Sequence, residues 1–199
     1  MEGEYIMAKA GKTGVSAKTP KNILLGAGTI HKGLKYEGSS WNLEDTIIGS
    51  TSGGSKLTIT PEITTIEADG ALVRTKGLDF KTGEVATLEV NFLELSKEVI
   101  KQAIIGADGT STDTNYDVIE SKANIESGDY LENIAFVGMT PEGKNIIVVL
   151  DNALCTSGFE LEGKNKEAGV ITLTFECSAE IDSDLDKLPY HIYYPKATA

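Results

Sequence analysis

The chain has 199 residues, 40% hydrophobic and 24% charged, the balance of a folded domain long enough to bury a core. Its net charge of −12 and sequence pI near 4.6 exclude a surface built to grip nucleic acid, since phosphate binding uses Lys and Arg. An acidic surface instead repels DNA and lets it slide past. No apolar run reaches membrane-helix length, and no basic-then-apolar signal opens the chain, which points to folding in a reducing cytoplasm.

Residues 1–21 are rich in Lys, Gly, Ala, Thr and Ser without periodicity and read as a mobile N-terminal arm. Lys9, Lys12, Lys18 and Lys21 make it basic, so the acid excess lies on the rest of the chain. Residues 22–199 read as one β-rich domain. Residues 22–41 hold short apolar pieces broken by glycines, which predicts strand fragments and turns. Ser52-Gly53-Gly54-Ser55 reads as a flexible turn. Leu57 and Ile59 then alternate with Thr58 and Thr60, the period of a half-buried strand. Pro61 lacks an amide for a sheet ladder and marks an edge or a break. Residues 63–67 resume strand chemistry, and Asp69-Gly70 signals a tight turn.

VATLEVNFLEL, residues 85–95, is the clearest strand: Ala86, Leu88, Val90 and Phe92 share one face, and Thr87, Glu89 and Asn91 the other. A helix follows, capped by Ser96, with Val99, Ile100, Ala103 and Ile104 as its apolar stripe and Gly106 as its end. Residues 107–129 are polar and acidic and read as a long loop. Strands return at 133–139 and 145–154 around a turn at 140–144. In the last strong strand, 169–179, Ile171, Leu173, Phe175 and Cys177 oppose Thr172, Thr174 and Glu176. Residues 182–195 read as a tail anchored by Tyr190, Tyr193 and Tyr194. The sum is a mainly β fold, an antiparallel β-sandwich or split barrel with one flanking α-helix.

Catalytic and metal signatures fail at their diagnostic positions. Gly26, Gly28 and Gly33 miss the dinucleotide fingerprint, which needs glycine where His31 stands. Asp113, Asn115 and Asp117 have the spacing of the first calcium-loop ligands, but Val118 and Asn124 fill the sixth and twelfth places. Asp182, Asp184 and Asp186 fail the same way at Lys187 and Tyr193. No GxSxG elbow is present. His31, among predicted turns, and His191 read as surface or edge residues. Cys155 and Cys177 read as buried strand thiols, a disulfide between them remaining open. No catalytic residue, resident metal or cofactor is expected.

The segment TSGGSKLTITPEITTIEADGALVRTKGLDFKTGEVATLEVNFLELSKEVIKQAI, with the closing GVITLTFECSAEIDSDLDKLPYHIY, resembles the major tail tube proteins of long-tailed bacteriophages and related tail-like particles. The resemblance lies in the order of a Gly-rich turn, a PEI…IE.DG strand pair, a KGL turn, an ATLEV strand and a short helix, and covers roughly residues 22–105 and 133–194. It implies a virion structural protein of the tail, assembled in the host bacterial cytoplasm. Such proteins form hexameric rings that stack into a hollow tube, through which double-stranded DNA passes without sequence-specific contact. The implied partners are further copies of the chain, a tape measure protein and tail terminator or tip proteins, with no membrane. In such a tube Thr87, Glu89, Asn91, Thr172, Thr174 and Glu176 are candidate bore-lining residues. Lys9, Lys12, Lys18 and Lys21 of the arm, with Asp113 and Asp117 of the acidic loop, are candidates for contacts between rings or subunits. The opening stretch contributes to the tube wall or to the seam between subunits. The alternative is a β-sandwich carbohydrate-binding or adhesion module, whose signature is a row of exposed aromatics or a complete calcium site.

Overall fold

A computed structural model describes residues 15, 19, 23–163 and 165–196. Apart from Val15 and Thr19, the proposed N-terminal arm, with Lys9, Lys12, Lys18 and Lys21, lies outside the described residues. The fold is mainly β and antiparallel throughout. Nine strands occur among the described residues: β1 (Leu25–Lys32), β2 (Thr51–Thr65), β3 (Asp79–Phe92), β4 (Gly106–Gly109), β5 (Val118–Ser121), β6 (Leu131–Met139), β7 (Asn145–Cys155), β8 (Ile171–Cys177) and β9 (Tyr190–Tyr193). One helix, α1 (Lys97–Ile104), lies between β3 and β4. Seven strands make one sheet in the order β1-β6-β7-β8-β3-β2, with β9 also on β7, while β4 and β5 form a separate hairpin.

The large sheet forks at β7. One edge of β7 pairs with β6 along its length. The other pairs first with β9, at Ile147–Leu150, and then with β8, at Ala153–Cys155. Asn152 sits between the two pairings with φ 47°, a conformation Asn tolerates better than most residues. The fork gives the two layers of a split barrel. Segment 46–50 joins β1 to the end of β3: Ile48 N–H donates to Ile30 O at 3.1 Å and Leu93 N–H to Ser50 O at 2.9 Å.

The predicted alternation of β3 and β8 holds. Ala86, Leu88, Val90 and Phe92 face Ile171, Leu173, Phe175 and Cys177 in the main core, with Leu150, Ile134 and the helix residues Val99 and Ala103. A smaller cluster, Leu34, Ala135, Val137, Ile147 and Val149, covers the far face of β6 and β7, under Trp41 and Leu43. Cys155 and Cys177 are free thiols in this interior, and burial pushes the Cys177 thiol up to about 11.

Several elements differ from expectation. Ser52–Ser55 is part of β2: Gly53 and Gly54, both at φ 83°, form a bulge that shifts register without ending the strand. Of the edge and the break that Pro61 signals, the edge is realised: β2 is the sheet's edge strand, and its outer side needs no amide. Residues 51–65 and 66–78 do not pair with each other; β2 pairs with β3 across a loop. Helix α1 ends at Ile105, in the left-handed conformation at φ 51°, while Gly106 opens β4. The acidic stretch 107–129 is an organised hairpin held by lysines, and Tyr190 and Tyr193 belong to β9, with Tyr194 just past its end. His31 is neither among turns nor at the surface: it lies in β1 with 1% exposure.

Candidate assembly surfaces

The six candidate bore residues converge on one face. Register places Thr87 beside Glu176, Glu89 beside Thr174 and Asn91 beside Thr172, so two stretches about 80 residues apart share one polar surface. The Thr172 hydroxyl donates to Asn91 Oδ1 at 2.7 Å, and Asn91 Nδ2 donates to Gly54 O at 3.1 Å. Strand β2 extends this face with Thr58 opposite Thr87 and Lys56 opposite Glu89. The lysine was absent from the two polar triads because it belongs to a third strand. It places a cation directly across from one of the two glutamates.

Beyond Val85 the β2–β3 ladder leaves the body as an arm. Within the body every second residue of β3 is buried; from Asp79 to Phe80 and from Pro61 to Thr64 both faces are exposed. Ile63, Ile66, Phe80, Val73 and Leu72 are all at least half open to solvent, with Leu72 at 98%. The arm is nonetheless built. Thr65 Oγ1 donates to Asp79 Oδ1 at 2.6 Å and Arg74 Nε to the same oxygen at 2.9 Å, and these two bonds hold the Asp79 carboxyl below the usual range. Ile66 N–H donates to Leu78 O at 2.9 Å and closes the base of the tip loop. Apolar side chains on a stapled, projecting hairpin are a contact surface without a partner in the single chain.

The acidic hairpin is tied to α1. Lys97 Nζ lies 2.9 Å from both Asp108 and Asp117, and Lys101 Nζ lies 2.8 Å from Asp108. Lys122 reaches Asp129 at 2.7 Å and Glu126 at 2.9 Å. Asp113 accepts from Asn115 N–H at 2.9 Å and from its amide at 2.8 Å, which lowers its pKa. Asp113 and Asp117, the two candidate contact acids, therefore already have partners within the chain. Among the described residues no group of three or more His, Cys, Asp or Glu side chains is arranged to hold a metal ion.

A third surface was invisible in the sequence. Strap 33–47 and strand β9 bring Tyr36, Trp41 and Tyr193 into one row: Trp41 lies edge-on to Tyr36 at 5.6 Å and to Tyr193 at 4.8 Å. Next in the row is His191, whose Nε2 lies 3.3 Å from Asp151. Burial raises the Asp151 carboxyl above its ordinary range, partly offset by His191. Tyr36 and Tyr193 keep about half of their surface open. No spacing rule predicts this row: Tyr36 and Trp41 are near neighbours joined by their own bridge, but Tyr193 lies far along the chain and is brought to them by the β7–β9 pairing.

No family model and no curated protein matches the chain. Among solved structures it is similar to a chain in the cryo-EM structure of the anti-feeding prophage (AFP) baseplate, 6-fold symmetrised. The match has 11% identity and a TM-score of 0.47, and covers 77% of this chain and 89% of that chain.

Proposed function

We propose that the chain is a structural subunit of a phage tail or tail-like particle, and that it assembles as hexameric rings stacked into a hollow tube. The observation that carries this reading is the β2–β3 arm, whose apolar residues are exposed on a braced hairpin, with Leu72 at 98%. Solvent-exposed apolar groups of this number on an ordered element are stabilised by docking on another surface. The sequence resemblance to tail tube proteins names that surface: a neighbouring copy of the chain. The polar face of β2, β3 and β8 then lines the bore. It carries Glu89, Glu176 and small hydroxyl residues against the single Lys56, a surface that gives DNA phosphates little to bind. The edge position of β2 suits continuation of the sheet into the next subunit, which removes an otherwise open edge.

Negative-stain electron microscopy of the concentrated protein tests the reading. Hollow tubes with a ring repeat are expected, and a chain that stays monomeric under all conditions refutes it. In a particle carrying the chain, Glu89→Lys with Glu176→Lys is expected to preserve tubes and slow DNA passage. Ejection at the normal rate refutes the bore assignment.

A second reading, a carbohydrate-binding or adhesion module, is favoured by the Tyr36–Trp41–Tyr193 row, since sugar rings stack their C–H faces on aromatic side chains. Glycan binding lost in Trp41→Ala, by a protein that never forms tubes, is the outcome that would select it.

A further inference from the structure

His31 bonds directly to the strap of residues 33–47 that covers the smaller apolar cluster, and His191 lies behind Tyr193, the ring on which the strap's Trp41 rests. The strap is pinned at two ends. At its start, Leu34 N–H donates to Asn133 Oδ1 at 2.9 Å and Asn133 Nδ2 donates to Leu34 O at 3.1 Å. At its end, His31 Nδ1 lies 2.9 Å from Thr46 Oγ1, and that hydroxyl donates to Asn42 O at 2.8 Å. Because the Thr46 proton is committed to Asn42, the hydroxyl accepts from His31, so the imidazole carries its proton on Nδ1. His31 Nε2 is then the acceptor for Thr29 Oγ1, 2.7 Å away. In the middle, Trp41 rests on Tyr193, whose ring neighbours His191.

We propose that the strap is an acid-released lid, in which protonation of His31 frees the Thr46 end while the Leu34–Asn133 end acts as the hinge, uncovering Ala135, Val137, Ile147 and Val149. The reason is the burial of a cation. His31 is 1% exposed, and a proton added on Nε2 makes the Thr29 hydroxyl turn from donor to acceptor, so the imidazolium gains hydration only when the strap lifts. Among the described residues no carboxylate bonds to the His31 ring to balance the charge. On β1 the neighbouring Lys32 is exposed and also cationic; β6 presents Asn133, Ala135 and Val137 beside it; on the strap Glu44 and Asp45 are exposed. On β7 Asp151 is paired with His191 of β9. Burial accordingly lowers the His31 pKa. The Leu34–Asn133 pair at the other end contains no titrating group, so acid loosens the Thr46 end alone and gives a hinged opening in place of global unfolding. The proposal is independent of the tube assignment.

The chain supplies its own probe, since Trp41 is the sole tryptophan and sits on the strap. In the full-length protein, Trp41 emission and amide hydrogen exchange are followed between about pH 8 and about pH 5, the window in which histidine titrates. Expected is a red shift of Trp41 with a midpoint below about 6.5, the ordinary histidine value. The amides of Lys32 and Ile48, bonded to Thr46 O and Ile30 O, lose protection about tenfold for each pH unit once intrinsic rates are corrected, while Leu150 in β7 stays protected. His31→Gln, which can still donate and accept but takes no proton, removes the pH dependence, and His191→Gln retains it. Flat emission in the unsubstituted chain, or a transition that survives His31→Gln, overturns the proposal. Should His31→Gln fail to fold, exchange in the unsubstituted chain still decides: Lys32 and Leu150 losing protection together is global unfolding and overturns it too.

Discussion

Strands β2 and β3 run through two environments, and the same pair of strands behaves differently in each. Inside the body, from Ala86 to Phe92, alternate side chains of β3 have 0% exposure. Past Val85 the ladder continues through one register shift between Glu62 and Ile63, yet Ile63 and Phe80 are about half exposed and Leu72 is almost wholly so. Hydrogen bonding is maintained in both parts. What ends near Val85 is the support beside the ladder: β8 pairs with β3 only from Thr87 to Phe92, and buried positions on β3 begin at Ala86. Stability in the body therefore comes from burial within the chain, whereas the arm's apolar residues stay open among the described residues.

Substitutions separate the two regions. The largest effect is expected on assembly: Leu72→Asp with Val73→Asp should abolish polymer in sedimentation while leaving the urea midpoint of the monomer nearly unchanged, since surface changes fall within about 0.5 kcal/mol. In the body the order reverses. Phe175→Ala, at a position with 0% exposure, should cost about 3–5 kcal/mol by chemical denaturation. Polymer formed at equal folded concentration should be unaffected. If Leu72→Asp with Val73→Asp destabilises the monomer as Phe175→Ala does, the arm packs against the body in solution and the contrast fails.

Smaller effects sharpen the picture of the body. Gly28 has φ 71°, and an added Cβ would meet the Phe136 ring and, at 2.8 Å, the Val137 carbonyl oxygen, so Gly28→Ala should lower stability by about 1–3 kcal/mol. Ser96→Ala removes the side-chain acceptor for Val99 N–H and should cost about 1 kcal/mol. The pH dependence has a definite sign. His31 has a folded-state pKa below its unfolded value of 6.5, so the unfolded chain takes the proton first as pH falls. Stability is full above that value and declines below it, and denaturation midpoints for His31→Gln should decline less. Cys177, pushed up to about 11, and the buried Cys155 should resist alkylation near neutral pH until the body unfolds.

Legibility followed the range of the interaction. The alternations Ala86–Leu88–Val90–Phe92 and Ile171–Leu173–Phe175–Cys177 were readable because a two-residue period is local and both strands are buried on one face. The convergence of Thr87, Glu89 and Asn91 with Thr172, Thr174 and Glu176 was not, because it depends on β3–β8 register. The stretch 107–129 looked like loop since its strands are four residues each and its order comes from Lys97, Lys101 and Lys122. His31 was misplaced because glycines on either side suggested turns. Its burial is the work of a strap that returns to it at Thr46.

By itself the sequence determined that the chain is β-rich, that β3 and β8 have one apolar and one polar face, and that a single capped helix follows β3. These are properties of neighbouring residues, set by side-chain period and capping. The tertiary structure alone decided that β7 forks between β8 and β9, that Tyr36, Trp41 and Tyr193 meet, and that the β2–β3 ladder outruns its covering layer. Each of these joins residues far apart in the chain, and only the closed packing of the sheet sets which of them come together.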